Sequence, residues 1–390
     1  MSKWKRVKLK DISAVITKGT TPSNIGASFA ESGIPYIKSE YLTFSDKYIV
    51  PTEPCFISAE THEKLKRSQL CSQDILLSMA GAYLGKSAIL RDEDVPANTN
   101  QAVALIRIDS NQACPDYVYY FLNQKQLIAF MNQLPNQSAQ PNINLAQIGS
   151  LEVGLPEIEA QKRTAGILSS YDKLIENNCR QIALLEETAQ RLYKEWFVDL
   201  RFPGYETEPI IDGLPEGWRK GKLDEIVEFR RGKTITQNET LDGDVPVVAG
   251  GLKPAYYHTH ANTTSPVITV SGSGANAGFC RLYTTEIWAS DCSFADSSMT
   301  DNLYFAYASI KVLSNGFKQC QRGSAQPHVY PKHVNALDVV IPDGVCLSAF
   351  NDVAKALYSQ IGILNERVSA AREARDRLLP KLMSGEIEVG

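Results

Sequence analysis

Apolar positions along the chain follow two rhythms. In one stretch, Leu168, Tyr171, Ile175, Ile182, Leu185, Ala189, Leu192 and Trp196 fall at alternating steps of three and four, with Asn178 as the polar member of the series. That is an a/d seam over about four heptads, and it predicts a long helix packed lengthwise on another. A second stretch repeats the series at Ala354, Leu357, Ile361, Leu364, Val368, Ala371, Leu378 and Leu382, with Arg375 as its polar member. A polar residue on a seam either fixes register or carries its head group out to the edge. The first helix is predicted over 157–198, ~60 Å at ~1.5 Å per residue. Pro203-Gly204 is expected to stop it, and Pro380 to end or kink the second helix near Leu379.

The other rhythm is of short apolar runs between turns. Ala102 to Ile108 and Val267 to Val270 read as strands. Asp116 to Gln133 has helical spacing and reads as one helix. These runs lack the regular alternation of a doubly wound sheet, so the expected class is α+β, with compact α/β segments set between the long helices.

The chain also repeats itself. Trp4-Lys5-Arg6-Val7-Lys8-Leu9 resembles Trp218-Arg219-Lys220-Gly221-Lys222-Leu223, at an offset of 214. Asp74-Ile75-Leu76-Leu77-Ser78 leads to Gly81 and Gly85, as Val267-Ile268-Thr269-Val270-Ser271 leads to Gly274 and Gly278, at an offset of 193. Ser138-Ala139-Gln140-Pro141 returns as Ser324-Ala325-Gln326-Pro327, at an offset of 186, and the two seams keep that same offset. Matches in one order with a falling offset indicate two copies of one unit, the second shorter.

Composition narrows the class. The 390 residues are 43% hydrophobic and 22% charged, which excludes a disordered or collagen-like chain. No apolar run reaches the ~18–20 residues a membrane helix needs, and no apolar stretch follows the basic start, so no secretory signal is expected. The eight cysteines are scattered without a Cys-x-x-Cys, which points to a reducing, cytoplasmic setting. Formal net charge is −4, so any binding to nucleic acid must come from local basic loops or from partners.

Three stretches resemble the specificity subunit of a type I restriction–modification system. They are Leu155-Pro156-Glu157-Ile158-Glu159-Ala160-Gln161-Lys162-Arg163 with the helix that follows, Gly213-Leu214-Pro215-Glu216-Gly217-Trp218, and Arg377-Leu378-Leu379-Pro380-Lys381-Leu382-Met383-Ser384-Gly385-Glu386-Ile387. With the duplication, the resemblance covers essentially the whole chain. It implies a target recognition domain over 1–156, a central long helix over 157–202, a linker and second recognition domain over 203–342, and a C-terminal long helix over 343–390. It also implies that the two domains are separated by the two helices in antiparallel pairing. The implied function is non-catalytic: reading a bipartite, asymmetric double-stranded DNA target and scaffolding two methyltransferase and two motor–nuclease subunits. S-adenosylmethionine, ATP and magnesium would belong to those partners, and none is expected in this chain. The alternatives are the specificity subunit of a related type IIB system and a coiled-coil adaptor that binds no DNA.

Other motifs compete weakly. Ala80-Gly81-Ala82-Tyr83-Leu84-Gly85-Lys86-Ser87 is close to a phosphate-binding loop, but only Ser87 to Val95 is available for the helix such a loop needs. His258-x-His260 lacks companion metal ligands and reads as a solvated loop. Cations neutralise phosphate, while Asn, Gln and Arg read base edges. On that ground the candidate DNA contacts in the first domain are Lys18, Thr20, Thr21, Lys38, Tyr83, Lys86, Asn98, Asn100, Gln101, Gln137 and Gln140. In the second they are Arg230, Arg231, Lys233, Ser273, Asn276, Arg322, Gln326 and His328, with Arg230, Lys233 and Arg322 foremost because they are cationic and flank turns.

Overall fold

The computed structural model describes residues 4–134, 142–313 and 328–389. They form two compact units, one of residues 1–177 with 368–390, the other of residues 178–367. The first long helix is Ile158–Phe197 and the second is Gly344–Ser384, so each unit takes in part of both. Among the described residues no helix is long and apolar enough to cross a membrane.

The first unit is built on a four-stranded sheet with spatial order Ser13–Lys18, Val103–Ile108, Ile75–Ser78, Ser87–Ile89, antiparallel throughout. Ile75–Ser78 is wholly buried because both sheet faces are covered. Side chains alternate across a strand. Ile75 and Leu77 therefore enter the helix-side core with Tyr117 and Leu168, while Leu76 joins Val103 and Leu105 in a smaller core on the other face. A second sheet, ordered Phe56–Ile57, Ile34–Ile37, Ala97–Thr99, Gln69–Leu70, contributes Ile37, Leu70 and Ala97 to that smaller core. Lys5–Lys8 pairs with Glu152–Leu155 and closes the globular part just before the first long helix.

The second unit repeats this plan. Arg219–Lys222 pairs with Asp338–Ile341, as the two offsets of 214 and 186 require. The four-stranded sheet runs Arg230–Arg231, Cys292–Asp296, Val267–Ser271, Cys280–Tyr283, the same order as its counterpart. In both units the second sheet holds a parallel pair, Ile34–Ile37 with Ala97–Thr99 and Val245–Val248 with Trp288–Ala289. The second copy is shorter in its loops: residues 38–55 join two strands in the first unit where 249–255 suffice in the second.

Within each unit the long helices pair in antiparallel fashion. In the first, Leu168 shares a core with Leu382 and Met383, and Asp172 meets Arg375. In the second, Tyr193 and Trp196 pack on Phe350, with Ala189 and Tyr358 in the same core. Every seam position is buried or half-buried. Arg375 does not run out to the edge; it is 8% exposed and paired with Asp172, itself 4% exposed.

Three local expectations change. The helix expected over 116–133 is two, Pro115–Leu122 and Lys125–Gln133. Asn123 turns its amide back to the Tyr119 carbonyl and to Ser87 Oγ, both at 2.8 Å, and the chain leaves the helix there. The first long helix keeps its expected span but is ended at Phe197 by a residue other than Pro203: Leu200 takes φ 57°, and the Arg201 N–H returns to the Glu195 carbonyl at 2.7 Å. The second runs through Pro380 to Ser384, because Leu382 and Met383 are buried in the first unit's core. Packing there outweighs the backbone hydrogen bond that proline cannot donate.

Candidate nucleic-acid interface

The register of the first unit brings most of its candidate residues to one end of the four-stranded sheet. Lys18 pairs with Ala104, Ser78 with Val103, and Leu77 with Ser87. The turns leaving that end therefore hold Gly19 to Thr21, Tyr83 to Lys86, and Asn100 to Gln101. Ile37 lies beside Thr99 in the second sheet, so Lys38 emerges next to Asn100. Gly19 permits the convergence: a Cβ there would stand 2.1 Å from the Thr99 carbonyl oxygen and 2.2 Å from that of Asn100.

Hydrogen bonds hold these loops. Thr20 N–H donates to the Thr99 carbonyl at 3.1 Å. The Tyr36 phenol donates to the Thr20 carbonyl at 3.2 Å, and burial pushes that phenol up to about 12, so it remains a donor. Arg67 donates to Thr20 Oγ1 at 3.2 Å, and Asn24 to Gln101 Oε1 at 3.2 Å. Asn100, half-buried, accepts the Ala102 N–H on its Oδ1 at 3.0 Å. Lys86 Nζ sits 4.3 Å from the centre of the exposed Tyr83 ring and 5.5 Å from that of Phe44. Lys38 is engaged with Glu40 at 3.5 Å.

The second unit gathers the equivalent end. Arg231 pairs with Ser293, Ser271 with Cys292, and Val270 with Cys280. This places Gly232 and Lys233, Ser273 to Asn276, and Asp291 together. Gly232 repeats the role of Gly19, its Cβ position 2.2 Å from the Ser290 carbonyl oxygen. His328 bridges Ser273 through the backbone, as Asn142 bridges Ala80 in the first unit. A shallow cavity of about 160 Å³ opens here, lined by Arg231, Ser273, Asp291, His328 and Tyr330. Arg231 is 3.3 Å from the Asp291 carboxylate, and His328 stacks on Tyr330 with the rings 8° from parallel. Lys233 lies over the Trp288 ring at 6.0 Å. Arg230 points from the opposite strand face to Arg231 and is paired with Glu228 at 3.6 Å.

Asn98 departs from its sequence reading. It is 0% exposed, and its amide donates to the Leu65 carbonyl and to Ser68 Oγ while its oxygen meets His62 Nδ1. It cannot reach a ligand in solvent; it ties the second sheet to the chain after Ala59–Lys64. Gln137, Gln140, Arg322 and Gln326 lie outside the described residues. The phosphate-binding-loop reading of Ala80 to Ser87 also fails, because Ser87–Ile89 is a buried strand and no helix follows the turn. His258 is not in a solvated loop: it is buried at a strand end and accepts the Leu241 N–H at 2.9 Å. Among the described residues, no three metal-ligating side chains come together.

Sequence reading missed Asn24, Arg67, Phe44 and Tyr330. Arg67 and Phe44 arrive from segments far from the loops they join, and nothing local marks them. Tyr330 carried a signal, since it stands two residues after His328, the spacing that sets rings on one side of extended backbone.

Two copies of one sheet, each gathering cations, amides and aromatic rings at the same end, form a duplicated module on paired long helices. The chain belongs to the type I restriction–modification DNA specificity family: the model for the type I restriction modification DNA specificity domain matches residues 1–187 and again 215–344. The type I restriction enzyme MjaIX specificity subunit of Methanocaldococcus jannaschii is 26% identical over 420 aligned residues, covering 99% of this chain and 94% of that one. The HindI specificity subunit of Haemophilus influenzae is 25% identical over 112 residues, 28% of this chain and 24% of that one. Among solved structures, the S subunit of a type I restriction–modification system from M. genitalium shares the fold, with a TM-score of 0.64 at 16% identity over 98% of this chain and 96% of that one.

Proposed function

We propose that this chain is the DNA-reading subunit of a type I restriction–modification complex and performs no catalysis itself. Each unit reads one part of a bipartite target through the loops at the end of its four-stranded sheet. The chain also scaffolds two methyltransferase and two motor–nuclease subunits, which bring S-adenosylmethionine, ATP and magnesium. The observation that carries this reading is the contrast between equivalent sheet ends. The first offers Thr20, Tyr83, Lys86, Asn100 and Gln101; the second offers Arg231, Lys233, Ser273, Asn276 and His328. Equal scaffolds carrying different hydrogen-bonding groups suit an asymmetric target.

The test is methylome sequencing of a host expressing the chain with its methyltransferase. Asn100→Ala is expected to relax one half of the methylated motif, and Arg231→Ala the other half. A lost base contact costs about 1–3 kcal/mol, enough to admit related sequences. Equal relaxation of both halves by either substitution would overturn the two-reader assignment.

A further inference from the structure

The repeat maps each position of the first long helix onto the second by adding 186, and the map exposes a difference in charge. Asp172 corresponds to Tyr358, Glu186 to Arg372, and Ala189 to Arg375. In the first unit Arg375 Nη1 is 2.6 Å from the Asp172 carboxylate and donates to the Ser45 carbonyl at 2.9 Å. Arg372 reaches Asp46 at 2.8 Å, and the Tyr120 hydroxyl donates to the far oxygen of Asp172. The loop that carries Ser45 and Asp46 lies in the 38–55 segment, which the second copy replaces with the shorter 249–255. At the corresponding place in the second unit stand Tyr358 and Ala189, both in one apolar core and carrying no ion pair. A chain of two like halves thus has one helix crossing sealed by charge and one sealed by packing.

We propose that Arg372 and Arg375 make the pairing of the two halves heterotypic, directing the second half of this chain onto the first and away from a second copy of either. Pairing two first halves would set Glu186 where Arg372 stands, so Asp46 would face a carboxylate. It would also set Ala189 where Arg375 stands, leaving Asp172 buried without its cation. Pairing two second halves would bury Arg375 against Tyr358 with only its sequence neighbour Asp376 as partner, without Asp172 or the Ser45 carbonyl. A buried charge that loses its partner is strongly unfavourable, and like charges add to the discrimination.

The experiment uses the full chain with a protease site inserted in the 203–215 linker, folded first and then nicked. Native mass spectrometry after incubation counts first–second, first–first and second–second pairs, which differ in mass. The nicked natural sequence is expected to give first–second pairs almost alone. One variant neutralises the contacts with Asp46→Asn, Asp172→Asn, Arg372→Gln and Arg375→Gln. Another imports the packing of the second unit with Asp172→Tyr and Arg375→Ala, which keeps the crossing sealed if the neutral amides do not. In a variant with unchanged far-UV circular dichroism, like pairs should rise toward about one half, the proportion that random pairing gives, as the preference drops by roughly tenfold or more. Like pairs already abundant in the nicked natural sequence, or first–second pairs still exclusive in a folded variant, would overturn the proposal.

Discussion

The Trp218 indole donates a 2.9 Å hydrogen bond to the carboxylate of Asp343, joining residues 125 apart in the chain. Trp218 immediately precedes the strand Arg219–Lys222, and Asp343 immediately precedes the second long helix. The carboxylate also accepts the N–H groups of Val345 at 2.8 Å and Cys346 at 2.9 Å. Burial raises its pKa, but these hydrogen bonds together outweigh burial and hold it below the usual carboxylate range. One side chain thus caps the helix and closes the domain.

Asp343→Ala should cost about 1–2 kcal/mol, as loss of a helix cap does. A carboxylate depressed in the folded state stabilises above its unfolded pKa of roughly 3.9, and that stability is lost as pH falls through the folded value. The urea midpoint of the variant should therefore lie below that of the natural chain at pH 7, with the gap narrowing at pH 3. An equal gap at both pH values would show that the carboxylate charge is not what matters.

Asn98→Ala should act on stability rather than on recognition. The substitution leaves His62 Nδ1 without its partner and opens a buried site beside the Leu65 carbonyl and Ser68 Oγ, which keep only their bond to each other and the Ser68 N–H. Each unsatisfied buried group costs about 1–3 kcal/mol. Thermal unfolding should move to lower temperature, while the methylated motif, read well below that temperature, stays the same.

Lys86→Ala should weaken DNA binding without changing which sequence is preferred. Its ammonium, held against the Tyr83 and Phe44 rings, is placed to meet a phosphate. Losing one phosphate contact lowers the slope of log affinity against log salt by about 0.9. Fluorescence anisotropy across a salt series would measure it, and an unchanged slope would place Lys86 away from the backbone.

The formal net charge of −4 leads to a prediction for the whole chain. Alone, it should bind DNA weakly and with strong salt dependence, and become tight and specific when the methyltransferase subunits join. Nanomolar specific binding by the isolated chain at physiological salt, unchanged on adding the partner, would contradict this.

Much of the architecture was readable because it rests on local periodicity. The seam steps of three and four gave both long helices, since side chains at that spacing share one face whatever surrounds them. The offsets of 214 and 186 anticipated that Lys5–Lys8 and Arg219–Lys222 would find equivalent partner strands. The first helix ends within a residue of its expected bounds, 158–197 against 157–198, though a left-handed Leu200 rather than Pro203 turns the chain, while buried Leu382 and Met383 carry the second past Pro380.

The sequence by itself determined that the chain is a duplication, that each copy joins a strand-rich segment to a seamed helix, and which family it resembles. Order and spacing along the chain are enough for that. Only the tertiary structure decided what individual polar residues do. Asn98 and Asn100 stand two apart in one turn-rich stretch, yet one is sealed in the core while the other is half-buried in a turn at the sheet end. Arg375 and Asp172 are 203 residues apart, and no local pattern pairs them. The physical reason is that burial and ion pairing depend on what the fold brings within a few ångströms, and in this chain those partners come from the other end of the sequence.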